Sequence, residues 1–355
     1  MTAREQKESS AQHTGLTYQA AGVDIEAGEE AVRLIRGEAE STFIPGVLGT
    51  LGGFASLFAL PAEYKEPVLV TATDGVGTKL LVAKEAGKLD TVGIDLVAMS
   101  VNDVLTTGAR PVLFLDYVAV GRLLPQEMAR LVGGVAAGCR VAGCALVGGE
   151  MAEMPGLYEP GEFDMAGFCV GLVERTEIVD GSSIELGDVV IGLASNGFHS
   201  NGYSLIRKVL EVSRLDLSDM FPGSAVSVAE TLLQPTRIYV RSVLALREAG
   251  VTIHGMAHIT GGGIVGNLSR VIPEGLSARL ERKRWRVPPV FRTIQELGGV
   301  PEEEMFRTFN MGLGYVLVLP AQEADGALEL LQAQGEEAVL LGEIVRGLNR
   351  VTLEG

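Results

Sequence analysis

Three acids stand where an apolar run breaks into glycine or into the end of an element. Asp74 follows the run Val68 to Thr73 and leads into Gly75-Val76-Gly77-Thr78-Lys79. A strand end that opens through glycines into a helix N-terminus is a favourable place for phosphate and metal. Glu150 follows Cys144 to Val147 through Gly148-Gly149 in the same way. Asp103 lies with Asp95 and Asn102 in Thr91 to Thr107, a stretch apolar nearly all round through Ile94, Leu96, Val97, Met99, Val101, Val104 and Leu105. A helix of that kind is buried, and buried acids need a cation or strong donors. Capping and a buried salt bridge are the structural alternatives. Convergence of Asp74, Asp103 and Glu150 on magnesium is the sharper expectation, because that ion takes few carboxylates and completes its shell with water and substrate phosphates.

A second group is the loop Ala194-Ser195-Asn196-Gly197-Phe198-His199-Ser200-Asn201-Gly202-Tyr203, small and amide-rich between a strand and a helix. First-turn backbone N–H groups with Ser200 and Asn201 would cradle a phosphate. His199 would bind that phosphate or move protons, its ordinary pKa lying near ~6.5; the alternative is a structural histidine. The glycines of Pro45 to Phe58, Gly52 and Gly53 among them, suit either a mobile flap over phosphates or a plain surface loop. Two patterns mislead. Gly75 to Lys79 lacks the GxxxxGK[ST] spacing of a Walker loop. Gly261-Gly262-Gly263-Ile264-Val265-Gly266 satisfies GxGxxG, with Glu281 downstream, but His254 to Thr260 intervenes where a strand should run directly into the glycines. A tight loop opening a closely packed helix is the better reading.

These groups need elements to position them. Alternating apolar runs and helical stretches predict a layered α/β or α+β protein. Strands are expected at Val68–Thr73, Val112–Val120, Cys144–Val147, Asp164–Val173, Asp188–Ala194, Leu276–Leu280, Leu313–Leu319 and Ala338–Ile344. Helices are expected at Thr78–Ala86, Thr91–Thr107, Pro125–Ala142, Tyr203–Val212 and Pro235–Ala249. Residues 1–15 read as a flexible tail, 16–177 as an N-terminal domain carrying the candidate metal and phosphate groups, and 178–355 as a C-terminal α/β domain.

Composition narrows the function further. Of 355 residues, 47% are hydrophobic and 21% charged, which is globular. A formal net charge of −16 argues against nucleic acid and anionic lipid as partners. The basic stretch Arg282-Lys283-Arg284-Trp285-Arg286 is better read as a solvated edge. No apolar run approaches the ~20 residues of a membrane span, and Asp116 cuts off the run from Pro111 to Leu115. The start of the chain lacks the apolar centre of a signal peptide. Three cysteines and four histidines predict reduced core thiols in a cytoplasmic protein and no histidine-rich metal site.

Several blocks together resemble the phosphoribosylformylglycinamidine cyclo-ligase family. They are Leu16-Thr17-Tyr18 through Ala21-Gly22-Val23-Asp24-Ile25, Thr73 to Lys79, and Gly93 to Met99 through Asn102-Asp103. Gly148-Gly149-Glu150 with Ala152-Glu153-Met154-Pro155-Gly156, His199 to Ser204 and His258-Ile259-Thr260-Gly261-Gly262-Gly263 complete the set. The resemblance runs from about Leu16 to the C-terminus. It implies ATP-dependent ring closure of formylglycinamidine ribonucleotide in purine biosynthesis, with magnesium, and a homodimer paired through N-terminal sheets. Asp74 and Asp103 would then sit at metal and phosphates, His199, Ser200, Asn201, Gly202, Thr260, Gly261 and Gly262 at the substrate, and Gly52 and Gly53 in a nucleotide-covering flap. Lys79, Asp95 and Asn102 are expected beside the nucleotide, Lys79 as a phosphate donor. Arg36 replaces a lysine common in relatives; it stays protonated and is expected to clamp phosphate. Met151 replaces a usual threonine, and Ala55 a flap glycine.

Overall fold

The computed structural model describes residues 16–348 and 350–355; the expected tail, 1–15, lies outside the described residues. The N-terminal half runs α1 (Ile25–Glu40), β1 (Val47–Leu48), β2 (Leu57–Phe58), β3 (Pro67–Gly75), α2 (Lys79–Glu85), α3 (Val92–Leu105), β4 (Arg110–Val120), α4 (Pro125–Ala142), β5 (Ala145–Glu153) and β6 (Phe163–Glu174). Its main sheet has the order β3-β6-β4-β5, antiparallel except for the β4/β5 pair. One face is covered by α3 and α4. These two helices approach closely because Gly93 lacks a side chain: a Cβ there would sit 2.3 Å from Val135 N. The opposite face stays open, with Leu69 and Phe168 exposed on it and Leu113 and Leu115 partly covered.

The C-terminal half runs β7 (Val189–Ala194), α5 (Tyr203–Ser213), α6 (Val228–Leu232), α7 (Val240–Glu248), β8 (Gly255–His258), α8 (Gly263–Leu268), β9 (Leu276–Glu281), α9 (Pro289–Gly298), α10 (Glu302–Thr308), β10 (Leu313–Leu319), α11 (Ala324–Ala333), β11 (Ala338–Arg346) and β12 (Val351–Glu354). Six strands form a sheet in the order β12-β9-β11-β7-β10-β8. Apolar clusters cover both faces, so β10 is buried at every residue and reads as an unbroken apolar run.

Four expectations change. Residues 235–239 are not helical; α7 begins only at Val240, because the backbone of this strap is hydrogen-bonded to Asp95 and Asn102. Gly148-Gly149-Glu150 is not a loop after a strand but the middle of β5, which stays paired with β4 as far as Glu153. A strand, β8, does precede the GxGxxG segment. The helix after it is only six residues long, and a Cβ on Gly263 would lie 1.9 Å from Phe306 O, so Gly263 serves close packing. Helices α1, α6 and α9 to α11 and strands β1, β2 and β12 were not anticipated.

Candidate active site

Two concavities flank the N-terminal sheet. The first, about 910 Å³, lies between α1, the β1/β2 hairpin loop and the β4/β5 strands. It gathers Arg36, Gly52, Gly53 and Glu150. The hairpin loop closes over Arg36, whose Nη2 lies 3.5 Å from where a Gly52 Cβ would be. Ser56 ties the loop to β5 by donating to Val147 O. Glu153 fixes the mouth: its carboxylate accepts from Asp24 N and Leu123 N, both at 2.7 Å, holding the start of α1 against the end of β4. Asp116 forms part of the floor, and burial pushes its carboxyl up to about 7. Sequence reasoning missed Asp116; the available signal was one acid inside an otherwise buried apolar strand.

The second, about 450 Å³, lies where β3 and α3 meet β8 and α8, and gathers Thr73, Asp103, His258, Thr260, Asn267 and Arg270. His258 Nδ1 is 2.8 Å from Asp103 Oδ1, while His258 Nε2 is buried without a partner. Asp74 stands beside this pair. Burial, reinforced by the charge of Asp103, raises its carboxyl above the usual range, with His258 acting in the opposite sense. His258 was not singled out from the sequence as a functional group; its place at the end of a short strand, before the Thr260 glycine loop, was the signal.

The three expected magnesium ligands do not come together. Asp74 and Asp103 are neighbours, but Glu150 lies on β5 at the far edge of the sheet from β3, three strand spacings or ~14 Å away. Among the described residues no group of three or more His, Cys, Asp or Glu side chains is arranged to hold a metal. Two facing carboxylates, one of them destabilised by burial and by the other's charge, still fit magnesium, which commonly takes one or two protein carboxylates. Glu150 belongs to the flap cavity instead.

Lys79, Asp95 and Asn102 are occupied elsewhere. The Lys79 ammonium donates to Asp95 Oδ1 at 2.9 Å, His199 O at 3.0 Å and Gln234 O at 2.7 Å, which uses all three of its donors. Asp95 also accepts from Thr236 N and Oγ1, at 2.7 and 2.6 Å. Asn102 donates to Arg237 O and accepts from Tyr239 N. The salt-bridge alternative thus holds for Asp95, and the expected phosphate donor Lys79 is the other half of that bridge. Burial pulls the Lys79 ammonium down and Asp95 holds it up.

His199 also departs from expectation. It is 1% exposed, with φ +59°. Its Nε2 accepts from Asn196 N at 3.1 Å and Arg237 N at 3.4 Å. Burial, then the charges of His258, Lys79 and Arg237, depresses its pKa well below the ordinary value, so the ring is neutral and is not a phosphate-binding imidazolium. Ser200 pairs with Thr236 Oγ1 at 3.0 Å, and Asn201 Oδ1 accepts from Gly261 N at 3.0 Å. Gly202 caps α5, where a Cβ would strike Phe309. Gly262 N donates to Arg307 O. The loops of Ser200–Gly202 and Thr260–Gly262 are therefore joined to one another, with Thr260 on the cleft.

The family model described as AIR synthase related protein, N-terminal domain, matches residues 58–173, and that of the C-terminal domain matches 185–353. The phosphoribosylformylglycinamidine cyclo-ligase of Carboxydothermus hydrogenoformans is 54% identical over 340 residues, covering 95% of this chain and 98% of its own. That of Bordetella avium is 55% identical over 331 residues, covering 93% and 94%. In fold the chain is similar to thiamine-monophosphate kinase from Stenotrophomonas maltophilia, with TM-score 0.65, 16% identity and 92% and 96% coverage. It is likewise similar to hydrogenase maturation protein HypE in complex with ATP, with TM-score 0.63, 18% identity and 90% of each chain covered. Two matched family domains and relatives more than half identical along nearly the whole chain place this protein in the phosphoribosylformylglycinamidine cyclo-ligase family, ligases of purine biosynthesis.

Proposed function

We propose that the chain closes the imidazole ring of aminoimidazole ribonucleotide from formylglycinamidine ribonucleotide at the expense of ATP. The formyl amide oxygen takes the γ-phosphoryl group, releasing ADP. The amidine nitrogen then attacks that carbon, and the C–O bond breaks to release phosphate. The observation that carries this reading is the cleft in which Asp74, Asp103 and His258 meet. The ATP held by the HypE structure of similar fold supports nucleotide binding by this chain, and the flap cavity would take it.

An amide oxygen is a weak nucleophile toward a polyanion, so charge must be neutralised around the phosphates. Magnesium held by Asp74 and Asp103 would supply that neutralisation. Arg36, always protonated, clamps phosphate under the flap of Gly52 and Gly53. Asp103 orients His258: with a proton on Nδ1 shared with the carboxylate, Nε2 is a bare acceptor able to take the proton of the attacking amidine nitrogen. His258 therefore replaces His199 as the base. Thr260 and the linked loop of Ser200 and Asn201 hold the ribonucleotide.

We assign a homodimer through the open face bearing Leu69 and Phe168, in a cytoplasmic protein whose three buried cysteines stay reduced. Among the described residues no helix is long and apolar enough to cross a membrane. A twofold axis parallel to the strands would lay β3 of one chain over β5 of its copy, so the acids of one chain would face the flap cavity of the other. The test is a coupled assay with formylglycinamidine ribonucleotide and MgATP, following ADP and the aminoimidazole product. One product per ADP, with at least ~100-fold loss in Asp103→Asn at unchanged melting temperature, is expected. ADP release without product would reject ring closure.

A further inference from the structure

Asp116 lines the flap cavity, and phosphate binding leaves it without a role. It sits at the centre of β4, 7% exposed, on the floor of a cavity whose walls include Val32, Ile35, Val132 and Leu146. Its carboxyl has only its own backbone as a hydrogen-bonding neighbour. Room for it is made by Gly149 on the paired strand, where a Cβ would lie 2.0 Å from Asp116 Oδ1. A buried carboxyl with no protein partner is costly unless a ligand supplies one. Arg36 and the flap glycines mark another part of the same cavity for phosphate. Where the apolar side chains of Val32, Ile35, Val132 and Leu146 surround Asp116, the cavity suits a flat heteroaromatic ring.

We propose that Asp116 reads the hydrogen-bonding edge of the nucleotide's purine and selects adenine over guanine. The proposal rests on the reading that ATP occupies the flap cavity. Adenine presents one donor, N6–H, beside one acceptor, N1; guanine presents two donors, N1–H and N2–H, on the corresponding edge. A protonated carboxyl offers C=O to N6–H and O–H to N1, and so matches adenine; an ionised carboxylate matches guanine. Burial of Asp116 favours the protonated form. Adenine selection thus follows from keeping this acid dry. Asparagine offers the same donor and acceptor, whereas leucine offers neither.

The experiment measures binding of the magnesium salts of ATP, GTP and 1-deaza-ATP to the full chain by calorimetry, for wild type, Asp116→Asn and Asp116→Leu. Wild type is expected to bind ATP at least ~10-fold tighter than GTP or 1-deaza-ATP, on the scale of one buried hydrogen bond. Asp116→Asn is expected to keep the ATP preference, and Asp116→Leu to lose ATP affinity until the two purines bind alike. An unchanged ATP-to-GTP ratio in folded Asp116→Leu would overturn the assignment. Equal binding of ATP and 1-deaza-ATP by wild type would overturn it without any variant. Unchanged nucleotide affinity with a raised KM for formylglycinamidine ribonucleotide would move Asp116 to the substrate's amidine and reject the proposal. Ring closure supported equally by ATP and GTP would sink base selection alone; no nucleotide binding by wild type would sink the ATP site as well.

Discussion

The Lys79 ammonium lies 2.9 Å from Asp95 Oδ1, and neither side chain touches solvent. Lys79 begins α2 and Asp95 lies in α3, yet the remaining partners of both come from Thr236, Gln234 and His199 of the C-terminal half. Removing one charge strands the other, at about 3–5 kcal/mol. Lys79→Met is therefore expected to lower the urea midpoint sharply, and adding Asp95→Leu to recover part of the loss. A stable Lys79→Met protein with a raised KM for ATP would return Lys79 to the phosphates.

His258 and His199 should separate by the kind of damage they cause. His258→Gln keeps the side-chain volume but removes the base, so kcat is expected to fall by ~100-fold or more with the melting temperature nearly unchanged. His199→Gln breaks a buried contact to Asn196 N and Arg237 N and should lower stability first. A loss of the ascending limb of the pH–rate profile in His199→Gln alone would reverse the two roles.

Arg36→Ala should raise the KM for ATP about 10-fold or more while leaving the shape of the pH profile alone, since a guanidinium holds its charge across the working range. If a limb of that profile disappears, Arg36 is taking part in proton transfer and the clamp is wrong.

The raised carboxyl of Asp116 makes stability depend on pH. Its folded value, about 7, lies above the ordinary 3.8. The folded chain therefore keeps a proton that the unfolded chain releases. This contribution is complete below the unfolded value and is lost as pH rises through about 7. Relative to Asp116→Asn, wild type is expected to lose about 3 kcal/mol between about pH 5 and about pH 8. Denaturant unfolding of both proteins at the two pH values checks it; parallel behaviour would mean that Asp116 is ionised throughout.

Phe168 is 44% exposed and Leu69 63% exposed on the open face of the sheet. Large exposed apolar side chains on the uncovered face of a sheet point to an interface there. Phe168→Asp is expected to give a monomer by sedimentation and to abolish ring closure. A Phe168→Asp protein that remains dimeric places the interface elsewhere.

Elements with strong local signals were legible in the sequence. Helix α4 follows Pro125-to-Ala142 residue for residue, and β10 follows Leu313-to-Leu319, one marked by proline at its start and the other by an unbroken apolar run. The strap at 235–239 was not legible, because its non-helical path depends on Asp95 and Asn102, more than a hundred residues away. The same limit applies in the site. The neighbourhood of Asp74 with Asp103, and Thr260 on their cleft, followed from the blocks that carry the family resemblance. Lys79 was misplaced because a sequence does not say which way a lysine points. Glu150 was misplaced because β5 runs on through two glycines that, in sequence, mark a turn.

The strap has one more consequence. It supplies donors for Asp95 and Asn102, and Gln234 just before it supplies an acceptor for Lys79; all three of these side chains are fully buried. A fragment ending near residue 177 would keep these polar groups and lose what satisfies them. The two larger sheets are therefore expected to melt together, which a single calorimetric transition would check. On the reading that ATP occupies the flap cavity, the glycine-rich hairpin loop is what must move to admit it, and its tether to the sheet is the hydrogen bond from Ser56 to Val147 O.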